Sequence, residues 1–328
     1  YGGIVEALCK MAFGNEIGVD VCSGKDLFRK RYGAIILETE EEIEGFSLIG
    51  RTQRAFFLSG MGFALDLRKG LAAWEGTLEG VYPRLAAEEG EAKTLSLCEK
   101  PAVSHAPGSY ARPSVLIPVF PGTNCEFDLS KALADSNFVP RVMVIRNRDK
   151  EAVTESVRSF SKALRECQVL FIPGGFSGGD EPDGSGKFIA AFLRNPEIAM
   201  EVTRLLDDRK GLIGGICNGF QALIKLGLLP YGKICDLSAD SPTLTFNTIG
   251  RHQSMLVRTR VCSVLSPWLS RKRIGDVDML PVSHGEGRFV ASEDVLARLR
   301  AAGQIATQYV DENGSATMKC SDNPNGSA

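Results

Sequence analysis

Between residues 115 and 226, short apolar runs alternate with helical patterns, and few folds accept that alternation. Val115-Leu116-Ile117-Pro118-Val119 is one continuous apolar run, the pattern of a strand buried on both faces. Residues 141–145 and 169–172 read as two further strands, and Leu212-Ile213 leads a fourth into Cys217. Helical periodicity fits 126–136, 152–164, 187–193 and 196–207, and an apolar helix runs from the turn at Cys217 to Leu226. Strands and helices in this order predict an α/β fold, a parallel sheet with helices on both faces. Beyond Gly232 the strands lengthen, at 255–261 and 278–283. A helix at 292–301 and a strand at 305–309 complete the expected core.

The chain has 328 residues, enough for two domains. Ahead of the alternating part, a helix over 4–13 puts Ile4, Leu8 and Met11 on one face and stops at Gly14-Asn15. Residues 17–21 and 34–37 read as short buried strands. The acidic run 38–44 reads as a solvated edge, and 67–80 as an amphipathic helix ended by Tyr82-Pro83. From 86 to 113 the pattern dissolves into Ala, Glu, Gly and Ser with Pro101, Pro107 and Pro113. Few apolar residues are available to bury there, so the stretch reads as a linker. The organisation expected is an α+β segment at 1–85, a linker at 86–113 and an α/β domain at 114–328.

Charge and cysteine usage narrow the function. Lys and Arg number 38 against 40 Asp and Glu, a net charge of −2. A protein held mainly by phosphate backbones carries a basic excess, so nucleic acid is not an expected partner. No apolar run reaches the ~18 residues a membrane-spanning helix needs. The nine cysteines are odd in number, widely spaced and free of any CxxC, and there are only three histidines, His105, His252 and His284. A zinc site is therefore not expected, and reduced thiols in a cytoplasmic setting are. The sequence begins at Tyr1 and runs directly into a helical pattern, so it is expected to start inside a longer protein.

Three strings carry chemistry. Gly215-Ile216-Cys217-Asn218-Gly219-Phe220-Gln221 sits between an apolar strand and an apolar helix, the setting of a nucleophile elbow with cysteine as nucleophile. Glycines flank the cysteine because the turn is tight. The helix that follows offers its N–H groups and positive end, which favour a thiolate, and the N–H of Asn218 becomes half of an oxyanion hole. Phe171-Ile172-Pro173-Gly174-Gly175-Phe176-Ser177-Gly178-Gly179-Asp180 ends the neighbouring strand in sequence order, at the sheet edge where open α/β proteins bind ligands. It matches neither the P-loop nor the dinucleotide fingerprint. Ser283-His284-Gly285-Glu286-Gly287-Arg288-Phe289 places His284 and Glu286 two apart, on one face if the segment is a strand. That pair reads either as the base of a Cys-His-Glu triad or as a structural or substrate-site element. His105 falls in the linker, and His252, beside Arg251, in a polar loop.

With these residues in view, the chain resembles the class I glutamine amidotransferases. Gly215 to Gln221 has their Gly-x-Cys-x-Gly-x-Gln form, and Pro173-Gly174-Gly175 is similar to their oxyanion strand. Phe120-Pro121-Gly122-Thr123-Asn124-Cys125, Gly174-Gly175-Phe176-Ser177 and His284-Gly285-Glu286-Gly287-Arg288 resemble the phosphoribosylformylglycinamidine synthase branch of that family. Gly2-Gly3-Ile4-Val5-Glu6-Ala7-Leu8 and Ala73-Trp74-Glu75-Gly76-Thr77-Leu78-Glu79 look like the end of a domain similar to aminoimidazole ribonucleotide synthetase. The resemblance implies a flavodoxin-like sheet and a nucleophile at Cys217. It also implies backbone oxyanion donors at Gly175 and Asn218, and glutamine contacts from Gly174, Phe176, Gln221 and His284. Glutamine is the implied substrate, and synthetase domains of the same polypeptide are the implied partners. ATP and magnesium are implied for the whole enzyme, with no site in this chain.

In one respect the sequence departs from the resemblance. The family's triad His and Glu lie in a His-Pro-Glu-Arg stretch after an Asn-Pro-Asn-Gly-Ser string. Here Asn323-Pro324-Asn325-Gly326-Ser327 is followed only by Ala328, so the triad base is expected beyond it. Two other readings stay open: another elbow-cysteine hydrolase of the same fold, and a scaffold fragment without catalysis.

Overall fold

The computed structural model describes residues 2–24, 26–86, 91–95, 108, 110–179 and 186–327. It divides into two compact units, Tyr1–Arg84 and Leu85–Ala328. His105 and the stretch around Pro101 and Pro107 lie outside the described residues.

The first unit packs two helices on a mixed sheet. Helix α1 (Ile4–Phe13) buries Ile4, Val5, Leu8, Cys9 and Ala12, while Met11 falls at the edge of that stripe and stays exposed. Strands β1 (Gly18–Val21), β2 (Gly50–Gln53), β3 (Phe57–Gly60) and β4 (Phe63–Asp66) lie in the order β2-β1-β3-β4. β3 and β4 are joined at Met61-Gly62, both at positive φ, as a two-residue hairpin requires. Helix α2 (Leu67–Glu75) starts at Asp66, whose side chain accepts from the N–H groups of Arg68 and Lys69. It is shorter than the helix expected over 67–80, because Gly76–Leu78 tightens into a 3₁₀ turn. Residues 34–37 form no strand, and Ile35 and Leu37 are exposed. Of this run Ile36 alone packs on the unit's core, so the stretch docks through one side chain and not through a backbone ladder.

The second unit is the α/β part. β5 (Ser114–Val119), α3 (Glu126–Asp135), β6 (Val139–Val144), α4 (Lys150–Glu166) and β7 (Val169–Ile172) follow one another. They are succeeded by α5 (Lys187–Leu193), α6 (Pro196–Thr203), β8 (Leu212–Gly215) and α7 (Asn218–Leu226). The sheet order is β6-β5-β7-β8, and every pair is parallel. Side chains alternate across it as strand geometry demands. Leu116 of β5 and Leu170 and Ile172 of β7 enter a core with Phe160, Leu164, Ile189, Leu193 and Leu223. Val115, Ile117 and Val169 face the other way, onto Leu133 of α3. The buried apolar runs thus have helices on both faces, in the flavodoxin-like arrangement.

The rest of the unit is antiparallel. After a short turn of helix, α8 (Leu228–Tyr231), come β9 (Thr243–Thr245), β10 (Gln253–Val261), β11 (Val277–His284) and β12 (Arg288–Val290). Helix α9 (Glu293–Ala301) and β13 (Thr307–Val310) follow. β11-β10-β13 form one sheet and β12-β9 another. The late strands therefore do not extend the parallel sheet, as a single core would require. Within the stretch read as linker, Leu95 is buried and its N–H donates to Gln308 Oε1, while Gln308 Nε2 donates to Lys93 O. That short segment is docked beside β13 by its backbone, a form of attachment that composition does not reveal.

Candidate active site

Parallel strands leave their carboxyl ends on one edge of the sheet, and the chain order reverses there between β5 and β7. Three loops meet at this edge, after β5, β7 and β8. The loop after β5 turns at Gly122 (φ 92°). It pairs with the loop after β7 through an isolated bridge between Thr123 and Gly175, and the Phe176 N–H donates to Gly122 O at 3.0 Å. Gly175 sits at φ 133°, and a β-carbon there would press on Gly122 O and the Thr123 Cα at 2.8 Å each. Only glycine fits both that conformation and that approach.

Cys217 follows β8 and caps α7 at φ 53°, ψ −114°, a strained conformation for a residue with a side chain. The flanking glycines make the strain possible. A β-carbon on Gly219 would stand 2.2 Å from Ile172 O of β7, and one on Gly215 would stand 2.7 Å from the Gly219 carbonyl carbon. The half-exposed sulfur of Cys217 is at the positive end of α7 and approaches Ser283 O at 3.9 Å. Gly174 lies directly beside it: a methyl group on Gly174 would be 3.2 Å from Cβ of Cys217. The sequence-predicted Gly174, Gly175, Cys217 and Asn218 are thus gathered at one place, with Phe176 61% exposed at the rim.

A buried polar chain ties the loops together. The Ser177 N–H donates to Asn218 Oδ1 (3.2 Å), Asn218 Nδ2 to Gln221 Oε1 (3.1 Å), and Gln221 Nε2 to Glu286 O (2.9 Å). Asn218 and Gln221 are both buried. In this arrangement both polar atoms of the Gln221 amide are engaged within the protein, one on α7 and one on the loop after β11.

His284 ends β11, and Gly285-Glu286-Gly287 turn away from the strand, so His284 and Glu286 do not share a strand face. Asn247 holds the turn. Its Nδ2 donates to Arg251 O and His284 O, which fixes Oδ1 as the acceptor for the Gly287 N–H at 3.2 Å. His284 Nδ1, 3.0 Å from the same Oδ1, must then carry the proton. Nε2 is buried without a hydrogen-bond partner among the described residues. Burial pushes the His284 pKa down.

Sequence reasoning did not assign two neighbours of the site. His252 Nε2 lies 2.8 Å from the hydroxyl of Ser283, the residue whose carbonyl faces the Cys217 sulfur. Cys125 turns its sulfur to Gly174, 3.3 Å from where a β-carbon would be. The string Phe120 to Cys125 is distinctive in the sequence, but no spacing rule shows which of its atoms reach Gly174.

A family model described as the CobB/CobQ-like glutamine amidotransferase domain matches residues 112–328. The chain is similar to phosphoribosylformylglycinamidine synthase subunit PurQ of Salinibacter ruber, 36% identical over 209 residues, covering 64% of this chain and 75% of that protein. The PurQ subunit of Gloeobacter violaceus is 34% identical over 217 residues, covering 64% and 76%. Among solved structures, PurLQS from Thermotoga maritima is 27% identical with a TM-score of 0.44, covering 61% of this chain and 76% of that one.

Proposed function

The chain belongs to the CobB/CobQ-like glutamine amidotransferase family, and from that premise we propose that Cys217 is the nucleophile of a glutaminase serving purine biosynthesis. The observation that carries the reading is the strained elbow, with Cys217 at φ 53° between two glycines that nothing larger can replace. The Cys217 sulfur attacks the side-chain carbonyl of glutamine, and a C–S bond forms as the carbonyl π electrons move to oxygen. Backbone N–H groups at Gly175 and Asn218 are assigned to that oxyanion, where one donor is worth about 3 kcal/mol. Collapse breaks the C–N bond, the amide nitrogen takes the proton given up by the thiol and leaves as ammonia, and water hydrolyses the remaining γ-glutamyl thioester to glutamate and the free thiol. Gly174 forms the floor and Phe176 the rim of the glutamine site. His284 positions the 284–287 turn.

The ammonia is assigned to the ATP-dependent conversion of formylglycinamide ribonucleotide to formylglycinamidine ribonucleotide, a C–N ligation by synthetase domains of the same cytoplasmic enzyme. Residues 1–85 are assigned to the end of such a synthetase half. The described residues gather no group of three His, Cys, Asp or Glu able to hold a metal ion. ATP and magnesium are assigned to the synthetase domains, and no step here runs through them.

The test is labelling with a diazo-ketone analogue of glutamine, mapped by mass spectrometry. Modification is expected at Cys217 and is lost in Cys217→Ala. Label on Cys125 or Cys167 in its place defeats the assignment.

A further inference from the structure

A second thiol stands beside the nucleophile, and the reaction proposed above does not use it. Cys125 ends the loop after β5 and precedes α3. A methyl group on Gly174 would lie 3.3 Å from the Cys125 sulfur and 3.2 Å from Cβ of Cys217. Both cysteines reach the space that a side chain at 174 would fill. The Cys125 sulfur and the Cys217 Cβ can be no farther apart than those two distances laid end to end. Cys125 is exposed and Cys217 half-exposed, so a small oxidant has access to both. The Cys125 thiol donates to Asn124 Oδ1 at 3.4 Å. Burial of the sulfur, and next the neighbouring Cys217, push the Cys125 pKa up. Cys125 therefore rests as a protonated thiol.

We infer that Cys125 and Cys217 form a peroxide-sensitive disulfide pair that switches the nucleophile off and protects it from irreversible oxidation. The inference rests on Cys217 being the reactive thiol. First, the Cys217 thiolate attacks one oxygen of a peroxide, an S–O bond forms, the O–O bond breaks, and hydroxide leaves. Next, the Cys125 sulfur attacks the sulfenic sulfur, the S–S bond forms, the S–O bond breaks, and the thiol proton leaves with the hydroxyl as water. Two electrons pass from the two thiols to the peroxide. Rotation of the exposed Cys125 side chain turns its sulfur toward Cys217, and the loop after β5 carries the β-carbons to the ~3.5–4.5 Å that a disulfide needs. Once Cys217 is a neutral sulfenic acid, its charge no longer holds the Cys125 proton in place. Oxidation of the first thiol thus readies the second.

The test uses the whole chain. Reduced and hydrogen peroxide-treated protein are digested without reduction and mapped by mass spectrometry. Iodoacetamide labelling of Cys217 is followed before oxidation, after it, and after dithiothreitol, in wild type, Cys125→Ser and Cys125→Ala. Oxidised wild type is expected to yield a linked Cys125–Cys217 peptide pair, lose the label, and regain it with dithiothreitol. In both variants Cys217 is expected to proceed to sulfinic or sulfonic acid, with recovery at least about tenfold lower. If reduced Cys217 labels but no linked pair forms, or the variants recover equally, the switch is overturned and the nucleophile stands. If reduced Cys217 labels no faster than Cys22, the nucleophile reading falls, and the switch with it.

Discussion

Cys217 holds a backbone conformation that a residue with a side chain keeps only when its surroundings enforce it. The enforcement is steric and can be located. The α7 backbone at Gly219 lies so close to β7 that a β-carbon would stand 2.2 Å from Ile172 O, far inside van der Waals contact. Gly219→Val is therefore expected to destabilise the protein by about 2–4 kcal/mol, through overpacking and added strain, as read by denaturant unfolding. A midpoint equal to wild type would remove the steric argument. His284 offers a second test at this scale, through pH. Its pKa is lowered by burial from the ordinary 6.5. Below 6.5 the unfolded chain takes up a proton that the folded chain refuses, so stability is full above 6.5 and falls as pH drops through it. Unfolding measured across that range should show a shallower fall in His284→Gln. Identical pH profiles would mean that His284 is not held neutral.

At the scale of elements, the site is an agreement among three loops and one helix. Asn218 and Gln221 are one turn apart on α7, and their side chains bond in series from Ser177 to Glu286. Gln221→Leu keeps the bulk but removes the hydrogen bonds to Asn218 Nδ2 and Glu286 O. The expected cost is about 1–3 kcal/mol, together with slower alkylation of Cys217 as the loops loosen. A direct glutamine contact by Gln221 would give a different signature, a raised KM with unchanged unfolding. The sequence made α7 and β8 legible through an apolar run, two glycines and a strand-to-helix change. It did not make the chain of bonds legible, because Glu286 and Gln221 are 65 positions apart. His284 and Glu286 misled for a related reason. Their spacing suits a strand face, but β11 ends at His284, where Asn247 draws the backbone into a turn.

At the scale of the whole molecule, the hydrophobic core sets where the site stands. Phe120 is buried at the end of β5, just before the loop that meets Gly175, and it packs edge-on against Phe188 and Phe192. Phe192 in turn meets Phe160 of α4, with ring centroids 5.5 Å apart. Phe160→Ala should cost about 3–5 kcal/mol, the range for removing a fully buried aromatic ring. Where the variant remains folded, Cys217 should still accept the glutamine analogue, since Phe160 acts through the core and not on the thiol. Loss of labelling in folded protein would show that the core reaches the nucleophile directly.

The sequence by itself determined the elements that bury apolar runs, and hence the parallel sheet, because continuous hydrophobic strands have no stable place except between two layers of helices. It also marked Cys217 as the candidate nucleophile, since two glycines around a cysteine at a strand-to-helix junction state a local steric need. The fate of residues 34–37 was not determined locally, because a strand exists only where its backbone finds a ladder partner, and β1 pairs instead with β2 and β3. Nor was the division of the second unit into one parallel and two antiparallel sheets, which depends on pairings between distant strands. Only the tertiary structure brought Cys125 to Gly174, 49 positions away in the chain. That approach depends on how closely the loops after β5 and β7 can pass, and glycines at 122, 174 and 175 let them pass at backbone distance.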